Sequence, residues 1–171
     1  MKKLSKKEIK KFFKEERYRK QNIVIILDNL QYTRNVASIF RTAEAAGVKK
    51  IYLTGITPQP QFDQEFQHVS RKKEKLVGWE YEQNAYWVLE QLKKQGFIRI
   101  AVELTNTAIP LYKLKDLVNA NDKICFVFGS EIHGLSKTTL KNCDESVFIP
   151  MYGKGASLNV AVCAGIILYS F

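Results

Sequence analysis

Two rhythms of apolar and polar residues run along this chain. Short, almost wholly apolar runs, rich in β-branched residues, occur at Ile23–Leu27, Ile51–Leu53, Phe97–Val102, Ile124–Phe128 and Val147–Ile149. Runs of that length without a polar face suit strands buried on both sides, as in a parallel sheet. Between them the spacing turns helical. Over residues 33–46, Val36, Ile39, Phe40 and Ala43 fall at i, i+3, i+4 and i+7, which makes one core-facing stripe. Thr33 is expected to cap this helix and Gly47 to stop it. At about 100° per residue, Arg34, Ser38 and Arg41 share the opposite side, so Arg41 is predicted to lie outside the core. Ala85–Gln95 reads as a second amphipathic helix ending at Gly96, and residues 55–67, with Pro58 and Pro60, as a loop. Strands alternating with helices predict an α/β domain with a parallel sheet.

The last segment, Leu158–Phe171, is apolar almost all round, broken mainly by Asn159 and Ser170. It is too short to span a membrane. A helix apolar on every side must be buried in the core or against a partner subunit. A two-fold homodimer interface is the expectation.

Composition narrows the class. The chain has 171 residues, 46% of them hydrophobic, enough for one folded domain. No apolar run approaches the roughly 18 residues of a membrane span, and the first twenty residues lack the apolar stretch of a secretory signal. A cytoplasmic protein without membrane association is expected. Cys125, Cys143 and Cys163 are widely spaced and form no CxxC pair, so neither a disulfide framework nor a zinc site is indicated.

The net charge of +10 is unevenly spread: residues 1–20 hold eight Lys and two Arg against three Glu, a net of +7, which leaves +3 for residues 21–171. A basic helical extension over 1–20 is expected to precede a folded domain over 21–171. Such a segment attracts polyanions and releases counterions on binding nucleic acid. A merely solvated helix explains the same charges. Ile9, Phe12, Phe13 and Glu16 follow helical spacing, so one side of this helix is expected to dock on the body.

Three segments could carry chemistry. Asn35–Thr42 contains the outward Arg41. Phe128-Gly129-Ser130-Glu131-Ile132-His133-Gly134-Leu135-Ser136 follows an apolar strand, where glycines allow a sharp turn and close approach to a ligand. The Gly129/Gly134 spacing suggests a phosphate-binding loop, but Leu135 stands where that motif needs lysine. Glu131 and His133 lack a third metal ligand and read as a structural pair. In Ile149–Val160 a Gly/Lys loop leads through Ser157, expected as the helix cap, to Asn159. The Asn159 amide must satisfy neighbouring backbone or bind a ligand.

In this order the segments resemble the three signature motifs of the SpoU/TrmH family of RNA 2′-O-ribose methyltransferases, within the SPOUT superfamily. The resemblance covers Gln21–Gly55 and Ala101–Tyr169, and is poorer over 56–100, where Glu74-Lys75-Leu76 replaces a usual Gly-Ala pair. It implies a parallel-sheet α/β/α domain with a C-terminal trefoil knot, working as a homodimer. Periodicity alone would not have suggested a knot. It further implies S-adenosylmethionine as cofactor, no metal, and RNA as substrate, with transfer RNA ahead of ribosomal RNA. A non-catalytic RNA-binding relative of the same fold stays open as an alternative. By the same resemblance, Leu104, Thr105, Gly129, Glu131, Ile149, Met151, Ser157 and Leu158 contact the cofactor. Arg41 is the catalytic position, Asn35 and Asn159 position the ribose or Arg41, and Ser157 and Glu131 shape the site. The basic residues 2–20 are expected to carry RNA contacts.

Overall fold

A computed structural model of the protein describes residues 1–16, 22–60, 64–119 and 121–170, with the backbone alone at 14–16 and 64–65. The elements begin with α1 (Lys6–Glu16), β1 (Asn22–Asp28), α2 (Thr33–Ala45), β2 (Lys50–Thr54), α3 (Gln64–Ser70), β3 (Gly78–Glu82) and α4 (Ala85–Lys94). They continue with β4 (Ile98–Val102), β5 (Ile109–Pro110), α5 (Leu114–Leu117), β6 (Lys123–Phe128), α6 (Lys137–Lys141), β7 (Glu145–Phe148) and α7 (Val160–Leu168). The boundary expected between residues 20 and 21 lies outside the described residues.

The strands pair in parallel in one sheet of order β3-β2-β1-β6-β4-β7-β5. The central strands are buried on both faces, which is why they read as unbroken apolar runs. In β1, Ile23, Ile25 and Leu27 join α2, Phe66 of α3 and α7 in one core layer. Val24 and Ile26 face the other way, with Tyr52 and with Val88, Leu89 and Leu92 of α4. The result is the three-layer α/β/α arrangement expected.

From β4 the chain runs out to edge strand β5, returns to β6 beside β1, and goes out again to β7 between β4 and β5. Then α7 crosses back to pack on α2. This interleaving is consistent with the trefoil-knot architecture of the SPOUT type. It also brings the carboxyl ends of β1, β4, β6 and β7 together, the place where open α/β sheets bind ligands.

Several expectations need correction. Tyr32, not Thr33, occupies the cap position of α2, and its side chain makes no capping bond. The expected loop over 55–67 runs into α3 from Gln64, because Phe66 is fully buried and meets the Phe40 ring edge-on at 5.8 Å. Asn159, not Ser157, caps α7. As expected of a helix shared between core and partner, α7 turns Val160, Ala164, Ile167 and Leu168 into the core of this chain, while Val162 and Ile166 are exposed. Helix α1 forms, but Ile9, Phe12 and Phe13 stay exposed rather than docked.

Candidate active site

The loops after β1, β4, β6 and β7 surround a cavity of about 940 Å³. Its floor is Val102, Phe128 and Val147 at the strand ends, and its walls come from 129–134, 149–151 and 156–160. The glycine loop after β6 is fixed by close packing. A Cβ on Gly129 would lie 2.6 Å from the carbonyl carbon of Gly134 and 2.7 Å from the Leu135 nitrogen, so only glycine fits. Gly134 has φ +64°, a conformation glycine adopts without strain. Glu103, at the end of β4, ties this loop down: one carboxylate oxygen accepts from the Leu135 N–H at 3.1 Å and the other from the Leu104 N–H at 3.2 Å.

The three motif segments meet through one hydrogen-bond chain. Asn159 Oδ1 accepts from the N–H groups of Ala161 and Val162, at 3.0 and 3.4 Å, and so caps α7. That fixes the amide, and Asn159 Nδ2 donates to Asn35 Oδ1 at 3.0 Å. Asn35 Nδ2 must then face the other way, and it donates to Glu131 Oε1 at 2.6 Å. Glu131 Oε2 accepts from the Gln31 N–H at 3.2 Å. The question left open for Asn159 has both answers: it satisfies backbone and it orders the site. Glu131 therefore pairs with Asn35 and Gln31, not with His133.

Asn35, Leu104, Gly129, Glu131, Ile149, Met151, Ser157, Leu158 and Asn159 all line the cavity. Two expected residues do not. Thr105 turns to Ser146, with 2.6 Å between the hydroxyl oxygens. Arg41 is exposed, as its helical phase predicted, but it borders a separate shallow concavity with Ser38, Thr42 and Tyr169. Tyr32, Glu103 and Cys163 also line the cavity, and no motif or periodicity marked them. Burial pushes the Cys163 thiol up to about 11, with the Glu103 charge adding to the shift, so at neutral pH it is a protonated thiol and a poor nucleophile.

The cavity fits the implied cofactor. It combines apolar surfaces at Leu104, Met151 and Leu158 with the backbone of a tight glycine loop. The carboxylates of Glu103 and Glu131 complement a sulfonium cation.

Comparison with known proteins gives the class. The sequence profile of the SpoU rRNA Methylase family matches residues 22–169. The tRNA (guanosine(18)-2′-O)-methyltransferase of Aquifex aeolicus is 29% identical over 151 residues, 88% of this chain and 69% of that protein. The 23S rRNA (guanosine-2′-O-)-methyltransferase of Acinetobacter baylyi is 28% identical over 155 residues, 87% of this chain and 58% of that protein. The crystal structure of the A. aeolicus TrmH/SpoU tRNA modifying enzyme superposes with a TM-score of 0.77 at 27% identity, covering 95% of this chain and 82% of that one. This chain belongs to the SpoU/TrmH family of S-adenosylmethionine-dependent RNA 2′-O-ribose methyltransferases.

Proposed function

We propose that this chain methylates a ribose 2′-hydroxyl of transfer RNA, with residues 21–171 as the catalytic domain and the basic residues 1–20 as an RNA-binding arm. The observation that carries the reading is the convergence of Asn35, Glu131, Ser157 and Asn159 on the cavity built by the expected cofactor loops. The Aquifex transfer-RNA enzyme supports a transfer-RNA substrate, and the lysine-rich N-terminus supports RNA binding.

Bound S-adenosylmethionine supplies an electrophilic methyl group. What the protein must add is alignment and charge. A 2′-hydroxyl is a poor nucleophile until its developing negative charge is stabilised. Asn35 and Asn159, locked by their mutual hydrogen bond, position the ribose. Arg41 acts as the electrostatic partner of the emerging alkoxide, its guanidinium offering charge and fixed donors, rather than as the base. Since Arg41 lies outside the cavity of its own subunit, it serves the cavity of a second copy in a homodimer. The exposed apolar side of α7 supports that assembly: Val162 is 52% exposed, and Tyr169, just beyond the helix, is 64% exposed and borders the same concavity as Arg41.

The test is methyl transfer from labelled S-adenosylmethionine to unmodified total transfer RNA and, separately, ribosomal RNA, by wild type and Arg41→Ala. Label in the transfer-RNA pool, lost with the variant, is the expected result. Label in ribosomal RNA alone would replace the substrate. Cofactor binding without label in either pool would favour the non-catalytic relative.

A further inference from the structure

A departure from helix chemistry marks an unassigned part of the cavity. Helix caps are ordinarily Ser, Thr, Asp or Asn, and losing such a cap costs about 1 kcal/mol. Here the cap residue of α2 is Tyr32, which offers no capping bond. Its ring is not recruited to the core either: it is 54% exposed, and it lines the cavity. A residue that breaks a local rule without a folding gain is a candidate for function.

Position says what that function is. The residues expected to hold the cofactor come from the loops after β4, β6 and β7. Tyr32 comes from the β1–α2 connection, on the same turn as Asn35. At about 940 Å³ the cavity is at the upper end of ligand sites, roughly 300–1,000 Å³, so it has room for more than a cofactor. The two cavity amides that could read a base edge are already engaged. Asn35 and Asn159 spend their carbonyl oxygens, and one amide hydrogen each, on the chain that ends at Glu131. The exposed Tyr32 ring offers a nucleobase a stacking surface, and unstacked bases of single-stranded RNA are characteristically held on such rings.

We propose that Tyr32 is the stacking platform for the base of the target nucleotide. This rests on the RNA methyltransferase reading above. The ring supports the base while the Asn35 amide, three residues on, meets the ribose. The hydroxyl has no role in the contact, and the apolar and π surface of the ring carries it.

The experiment measures steady-state methylation of RNA by wild type, Tyr32→Phe, Tyr32→Ser and Tyr32→Ala, with calorimetric S-adenosylmethionine affinity and melting temperature for each. Tyr32→Phe is expected to match wild type. Tyr32→Ser and Tyr32→Ala are expected to lose about 5- to 150-fold in kcat/KM for RNA, the range of one stacked base, chiefly through KM and at unchanged cofactor affinity. Tyr32→Ser should melt no lower than wild type, because serine restores the missing cap. Unchanged RNA kinetics in Tyr32→Ala would overturn the platform, and so would a Tyr32→Phe variant as impaired as Tyr32→Ala. If the wild type itself binds cofactor yet methylates no RNA, the functional reading fails and takes the platform with it. An active wild type with an indifferent Tyr32→Ala sinks the platform alone.

Discussion

Asn159 does two things with one amide: its oxygen caps α7 and its nitrogen orients Asn35. Substitution can separate them. Asn159→Asp keeps an oxygen at the cap and places negative charge at a helix N-terminus, where it is favoured. It loses the donor to Asn35 and sets a carboxylate against the Asn35 carbonyl. Asn159→Asp should therefore melt above Asn159→Ala, which loses the cap and about 1 kcal/mol in denaturant titration. Both should lose methyl transfer. Wild-type turnover in Asn159→Asp would mean that the orientation of Asn35 is not needed. At this scale much was legible: the outward phase of Arg41, the need of Asn159 for partners, and the motif residues themselves. The pairing was not, because Asn35 lies 96 residues from Glu131 and 124 from Asn159, and no local pattern connects them.

Elements buried on both faces were legible, and edges were not. The run that forms β1 admits almost nothing but a buried strand. Strand β3 pairs on one side only and exposes Trp79 and Tyr81, so the two-sided apolar signal is missing. β5 is two residues long, too short for any periodicity. The interleaved strands are locked by an ion pair that sequence spacing did not suggest. Arg99 of β4 is buried, and its Nε and backbone N–H both donate to Asp144 Oδ2, at 2.9 and 2.8 Å, just before β7. Burial alone would raise the Asp144 pKa, but the hydrogen bonds and charge of Arg99 outweigh it and hold the carboxyl below its usual range; the Asp144 hydrogen bond likewise raises the Arg99 guanidinium. A carboxyl depressed in the folded state contributes stability above its unfolded pKa of about 3.9, and that stability is lost as pH falls through the folded value. Asp144→Ala should cost about 1–3 kcal/mol at pH 7, below the figure for a fully buried pair because solvent screens the partly exposed carboxylate. Urea titrations should show the gap narrowing as the pH falls below about 4. An equal gap at pH 7 and pH 3 would mean that the loss comes from packing and not from the ion pair.

At the scale of the whole molecule, the sequence pattern announced an α/β sheet but not its interleaving, since the order in which buried strands pair leaves no mark on their periodicity. The pattern did announce a helix with more apolar surface than one subunit uses. With Val160, Ala164, Ile167 and Leu168 in the core, Val162 and Ile166 remain uncovered, and Arg41 stands apart from the cavity it is proposed to serve. If a second copy covers that face and presents its cavity to Arg41, two inactive variants should complement each other. Arg41→Ala keeps a sound cavity but has no cation to offer, whereas Asn35→Ala offers the cation but has a damaged cavity. A mixed dimer contains one site with both defects and one with neither. Random exchange of equal amounts makes half the dimers mixed, so methyl transfer should recover to about a quarter of wild type for a two-fold assembly. Each variant alone should stay near background, and sedimentation should report dimers throughout. Dimers that exchange subunits without any recovery would mean that Arg41 acts within its own subunit, after a movement of α2 toward the cavity. A monomer in sedimentation that still turned over would remove the shared site altogether.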